Sequence, residues 1–269
     1  MKLKIITLAI ALIFMSSAAF GQDEDLDQFD FETEPLQEEK PPYFAIAVGY
    51  NASFLFPDVA ELNDSFVEKF GLQEFPSMMF MSGVQGFTGV VVVPNLRAGF
   101  FGAGGSSKVN YDGELTSGDG TALERSAEYS LSYTGFSVDY AWVPIRSLAI
   151  LPGLNVGWGN VTLEAYQTHK YDEGGTDWGD FSPEGGNYDF MKHAAAGFVF
   201  VEPNVNIEFA LTNFSMIRVS AGYSMTFIGS MFTSNWEFNR MAALENVPDG
   251  INGNGLRLQA GIFVGLFNY

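Results

Sequence analysis

Between Leu256 and Tyr269 the chain reads Leu-Arg-Leu-Gln-Ala-Gly-Ile-Phe-Val-Gly-Leu-Phe-Asn-Tyr, with an apolar residue at every second position. Successive side chains of a β-strand point to opposite faces, so a period of two selects a strand over a helix. Leu258, Ala260, Ile262, Val264 and Leu266 form one uniformly apolar face, while Arg257, Gln259, Phe263 and Phe267 share the other. This division turns the even positions toward apolar surroundings and the odd ones inward.

Seven earlier stretches alternate in the same way, which makes eight predicted strands. Tyr43 to Phe56 sets Phe44, Ile46, Val48, Tyr50 and Phe54 against Ala45, Ala47, Gly49, Asn51 and Ser53. A second strand is predicted from Phe80 to Val93, ending at Pro94-Asn95, and a third starts at Leu96. The fourth, Ser126 to Trp142, carries Phe136, Val138, Tyr140 and Trp142 opposite Ser137 and Asp139, and a slip of phase near Thr134-Gly135 predicts a bulge. Leu148, Ile150, Leu154, Val156 and Trp158 mark the fifth; Val205, Ile207, Phe209 and Leu211 mark the sixth, opposite Asn204, Asn206 and Glu208. In the seventh, Ile217, Val219, Ala221, Tyr223, Met225 and Phe227 alternate with Arg218, Ser220, Gly222, Ser224 and Thr226.

The connections sort by length: 94–95, 143–146 and 212–215 are short, whereas 57–79, 112–125, 168–192 and 231–254 are long. Strict alternation of tight turns and long loops is the habit of up-and-down barrels that cross an outer membrane, with the long loops outside. The expected fold is therefore all-β, a closed antiparallel transmembrane barrel of eight strands spanning 43–269. In the first long loop, Val59, Leu62, Phe66 and Phe70 fall at helical spacing and predict a short amphipathic helix across the barrel mouth.

The segments ahead of the strands agree with export. Lys2 and Lys4 precede the apolar run Ile5–Phe14 and the small residues Ser16-Ser17-Ala18-Ala19, so 1–21 is predicted to be a signal peptide cut after Gly21. Residues 22–42 crowd Asp23, Glu24, Asp25, Asp27, Asp30, Glu32, Glu34, Glu38 and Glu39 before Pro41-Pro42, and are expected to be an acidic disordered periplasmic tail. A net charge of −19 argues against nucleic acid as a partner, and the absence of cysteine rules out disulfides.

With its signal segment, eight strands, sorted loops and terminal aromatic, the chain resembles the small outer-membrane barrels of the OmpA/OmpX/OmpW-like superfamily. The resemblance covers 43–269 as architecture and carries no specific sequence motif. It implies residence in the outer membrane of a Gram-negative-type bacterium, contact with outer-membrane lipid, and insertion by the barrel-assembly machinery. An extracellular or periplasmic protein partner would be unidentified.

Catalytic chemistry has little to stand on. His169 and His193 bracket the third long loop and, as ends of paired strands, are candidate neighbours with Asp172, Glu173 or Asp189, a weak metal constellation. Asp172-Glu-Gly-Gly-Thr-Asp-Trp-Gly-Asp180 has the composition of a calcium loop without its ligand spacing. No serine sits in a nucleophile context, so no enzyme activity, cofactor or metal is expected. Arg97, Asp139, Glu208 and Arg218 fall on inward positions two to four residues from short turns and are predicted to form an interior charge cluster at one level. The expected role is non-enzymatic, through the outward loops, in envelope integrity or adhesion. One alternative resembles OmpW, with a small apolar molecule passing sideways along Phe101, Phe263 and Phe267. Another is a soluble periplasmic lipid-binding barrel with its apolar faces turned inward.

Overall fold

The computed structural model describes residues 43–170, 189–229 and 233–268. The signal segment 1–21, the acidic tail 22–42, most of the 168–192 loop with its calcium-like sequence, and Tyr269 lie outside the described residues.

Among the described residues, eight long strands carry the architecture: β1 (Phe44–Pro57), β2 (Met79–Gly89), β3 (Leu96–Asn110), β5 (Ala122–Tyr140), β7 (Leu148–His169), β8 (Phe190–Ala210), β9 (Ser215–Ile228) and β12 (Gly255–Asn268). Each pairs antiparallel with the next in that order. The last, β12, pairs with β1 from Phe44↔Asn268 to Pro57↔Gly255, giving a ring of hydrogen-bonded strands. Short strands β4 (Leu115–Thr116), β6 (Trp142–Ile145), β10 (Glu237–Phe238) and β11 (Ala242–Ala243) decorate its ends.

The turns 90–95, 141–147 and 211–214 define one end, here called the base; the long connections define the other, the cap. The β2–β3 turn departs from the predicted boundary. Val90 to Val93 are not strand: Val90 N–H donates to Leu96 O (2.8 Å) and Asn95 takes φ 63°, so four residues credited to β2 close the turn instead. Pro94 has no N–H to give a ladder, and Val91 and Val92 stand exposed.

No bulge forms at Thr134-Gly135. The β3–β5 register runs unbroken from Leu96↔Tyr140 to Asn110↔Ser126. What reads in sequence as a slip of phase is a change of surroundings. Below Gly135 the inward residues are Ser137 and Asp139 and the outward ones Phe136 and Val138; above it Tyr133, Leu131 and Tyr129 are buried inside, and Thr134, Ser132 and Ser130 face out. On β7 the outward series passes from Leu154, Val156 and Trp158 to Asn160, Thr162 and Glu164 while the inward series passes from Asn155 to Val161 and Leu163.

The amphipathic helix of the first long connection is present with one modification. Helix α1 comprises a turn at Ala60–Leu62, a π-turn at Asn63–Val67 and a last turn at Glu68–Phe70, ending at Gly71 with φ 63°. The widened turn rotates the later residues, so Val67 is buried (3% exposed) where the 3.6-residue stripe points to Phe66. Across the lower ring, Phe44, Ile46, Val48, Tyr50, Val219, Tyr223 and Leu258 are exposed on the outer face. That arrangement is the reverse of a soluble lipid-binding barrel, whose apolar faces turn inward.

Candidate functional site

The interior of the ring has three layers, each traceable to inward positions of the strands. At the base, Ala45, Ala47, Phe87, Leu151, Met216, Phe263 and Phe267 form a small apolar cluster. Directly against it lie the four predicted charges. The register sets Arg97 opposite Asp139 and Glu208 opposite Arg218.

Arg97 Nη2 donates to Asp139 Oδ2 (2.7 Å), and Arg218 Nε donates to Glu208 Oε1 (2.8 Å). Arg97 Nη1 also reaches Glu208 Oε1 at 2.6 Å, so the two cross-strand pairs fuse into one network. Tyr43 donates its hydroxyl to Glu208 Oε2 (3.0 Å), and Arg218 Nη1 donates to Gln85 Oε1 (2.8 Å). Both guanidinium planes stack on aromatic faces, Arg97 at 3.9 Å from the Phe87 centroid and Arg218 at 4.2 Å from that of Phe263. All four charged side chains are at most 2% exposed. Gly153 makes this packing possible: it pairs with Asp139, and a Cβ there would collide with Asp139 Oδ1.

The middle layer is polar and holds a second ion pair that the strand pattern left unassigned. Arg257 Nη2 donates to Glu202 Oε1 (2.6 Å), which also accepts from Asn155 Nδ2 (2.8 Å). A signal for it existed. Glu202 shares inward parity with Asn204, Asn206 and Glu208, and Arg257 shares it with Phe263. Around this pair Asn51, Ser53, Asn204 and Asn206 enclose a space of about 20 Å³, room for roughly one water. Among the described residues, three buried guanidiniums thus face three buried carboxylates, and their charges balance.

Above the polar layer the interior becomes a conventional apolar core. Tyr133, Phe198, Phe200 and Phe101 pack edge to face, with Tyr133–Phe200 centroids 5.1 Å apart. At Gly159 a Cβ would meet the Phe198 ring at 2.5 Å, so a glycine in β7 seats that ring. Strands β3, β5, β7 and β8 continue past the ends of their neighbours, and the two longest described connections cover the concave apolar face they leave. From the first come Val59, Leu62, Val67 and Phe75; from the last come Trp236 and Ile251.

Polar contacts hold the lid in place. Tyr129 and Tyr133 donate their hydroxyls to Asn252 O (2.5 Å) and Gly253 O (2.6 Å), and Gly250 N–H donates to Glu61 Oε2 (2.8 Å). Strand β10 pairs with β8 at Ala194-Ala195 and so covers its free edge. At the tip of the second long connection the Ser117 hydroxyl donates to Asp119 and holds that carboxyl down at about 2.

His169 and His193 are not brought together. His193 pairs across strands with Glu164, five positions before His169 on β7, a separation of roughly 16 Å along the strand. Each imidazole Nδ1 meets its own carboxylate, His169 with Asp189 (3.0 Å) and His193 with Glu164 (2.9 Å). Among the described residues no three side chains of metal-binding type gather. Phe101, Phe263 and Phe267 do not line one path either. Phe101 belongs to the cap core, the other two to the base cluster, with the polar layer between.

No family model and no curated protein matches the chain. Solved structures align with the chain at low similarity. A major outer membrane protein of Thermus thermophilus aligns over 82% of this chain and 99% of its own at 10% identity, TM-score 0.43. The attachment invasion locus protein Ail of Yersinia pestis aligns over 85% and 99% at 8% identity, TM-score 0.31. The outer membrane protease OmpT of Escherichia coli aligns over 86% and 97% at 10% identity, TM-score 0.25.

Proposed function

We propose that the ring is a closed eight-stranded outer-membrane barrel that does not conduct and is not an enzyme, and that it acts through its cap in envelope integrity or adhesion. The observation that carries this reading is the filled interior: apolar base with charge network, polar middle with room for about one water, apolar cap. An eight-stranded ring is wide enough for its own side chains and little more. The outward apolar face supports the membrane location, because only a hydrocarbon solvent makes exposed Phe44, Val48, Phe136, Trp158, Val219 and Ile262 favourable together. With the short turns in the periplasm, the cap faces outward. Passage of an apolar molecule through the lumen fits less well, since it would cross Glu202, Arg257 and the base network.

Two measurements test this. Full-length protein in a planar bilayer is expected to give no stepwise conductance, and Arg218→Ala is expected to leave it silent because the cap still seals the ring. Discrete channel openings in the parent protein would overturn the reading. Protease added to intact cells is expected to cut within 168–192 and spare 22–42; the opposite pattern would invert the orientation.

A further inference from the structure

The cap contains a crevice that its packing does not fill. It lies between α1, the upper ends of β7 and β8, and the last long connection, and encloses about 300 Å³. Phe66, Phe70, Trp236, Leu244, Val247 and Ile251 line it, all at least half-buried members or neighbours of the cap core. A space of that size is at the lower end of small-molecule pockets, sufficient for one aliphatic chain and too small for a two-chain lipid.

The charges at this crevice are unusual for the chain. The whole sequence holds 13 basic residues against 32 acidic ones. Arg97, Arg218 and Arg257 are committed to the ring interior, and Arg125 is held by Gln167 and the Phe70 carbonyl. Yet Lys69 from α1 and Lys192 from β8 both line this one crevice, brought together from distant parts of the sequence. Both are exposed, and among the described residues neither forms an ion pair. Lys192 instead lies 5.9 Å from the Phe70 ring and 5.8 Å from the Phe190 ring, at the aromatic margin of the crevice. Glu245 and His193 also line it, and His193 meets Glu164 at 2.9 Å, so the exposed positive charge of the lining is that of the two lysines alone.

An apolar slot flanked by two exposed lysines that form no ion pair among the described residues, on a protein that is otherwise strongly acidic, is complementary to an aliphatic chain ending in an anion. We propose that the cap binds a free single-chain carboxylate of medium length, its tail among Phe66, Trp236 and Val247 and its headgroup between Lys69 and Lys192. The assignment rests on the crevice alone and holds whichever way the ring is oriented in a membrane.

Trp236 lines the slot and supplies the probe. Full-length protein in lipid nanodiscs, with Trp142, Trp158 and Trp178 changed to Phe, leaves it as the single indole. Titration with ω-bromodecanoate is expected to quench Trp236 saturably, and ω-bromodecanol is expected to quench it more weakly. The pair Lys69→Gln with Lys192→Gln should raise the half-saturation concentration for the acid about fivefold and leave the alcohol unchanged. Lys69→Arg with Lys192→Arg should bind as the parent does, and Val247→Phe, which fills the slot, should abolish saturation. Quenching that rises without saturating, that is equal for acid and alcohol, or whose half-saturation concentration for the acid is unchanged by the double glutamine change overturns the proposal.

Discussion

The lower and upper halves of this ring are built by opposite rules from the same strands. Along β5 and β7 the lower half carries Asp139, Ser137 and Asn155 inside and Phe136, Val138 and Trp158 outside. The upper half carries Tyr133, Leu131 and Leu163 inside and Ser132, Thr162 and Glu164 outside. The proposed membrane location accounts for the inversion. Where the surroundings are hydrocarbon, apolar side chains lose nothing by facing out, and the inside must satisfy its own polar groups. Where the surroundings are water, burial of apolar area again stabilises the fold at about 25 cal/mol per Å². On the proposed membrane location, the level of Trp158 and Asn160 is the edge of the hydrocarbon, and the cap above it is an apolar core that meets water.

The comparison is broken most forcefully at the base network. Glu208 accepts from Arg97, Arg218 and Tyr43, so Glu208→Gln leaves two buried guanidiniums facing a single carboxylate. The loss is expected to be about 3–5 kcal/mol, while Glu208→Leu with Arg218→Met, which keeps Arg97 and Asp139 paired and charge balanced, should cost much less. Urea unfolding of the refolded protein in lipid vesicles reads both. A double variant as unstable as the single one would mean that the network is not held together by charge balance.

Outward positions on either side of Trp158 sharpen the boundary. Ala221→Arg places a guanidinium on the apolar outer face of β9 and is expected to cost about 2–4 kcal/mol. Thr162→Arg, outward on β7 but above the switch, should change stability by no more than about 0.5 kcal/mol. Similar costs at the two sites would show that the outer face has a single solvent along its whole length.

The smallest effect concerns the cap alone. Tyr133→Phe removes the hydrogen bond to Gly253 O (2.6 Å) and keeps the ring stacked on Phe200. A loss of about 1 kcal/mol is expected, visible as faster amide exchange across 251–254 with the exchange of β1 and β12 unchanged. Faster exchange in the lower ring as well would mean that base and cap open as one unit.

Much of the lower half was legible because one rule governs it. Strict alternation placed Arg97, Asp139, Glu208 and Arg218 inward and set Val219, Tyr223 and Leu258 outward. Counting from the short turns was enough to bring the charges to one level. The same alternation misled at Thr134-Gly135, where the periodicity continues but the meaning of each face reverses. Periodicity reports which residues share a face; it does not report which solvent that face meets. Glu202–Arg257 was within reach of the parity rule, yet its partners lie on β8 and β12 with β9 between them, so no hairpin count pairs them.

Local pattern by itself determined the strands, their inward and outward faces and the sorting of turns from long connections, because a period of two is a property of neighbouring residues. Tertiary structure decided the rest. It fused two cross-strand ion pairs through Arg97 and Glu208, separated His169 from His193, rotated α1 through a π-turn onto Val67, and folded the last connection down onto Tyr129 and Tyr133. The Arg97–Glu208 contact and the contacts of Tyr129 and Tyr133 with the last connection join residues more than a hundred positions apart, and they exist only once the strands are in register, so no local pattern encodes the distance between them.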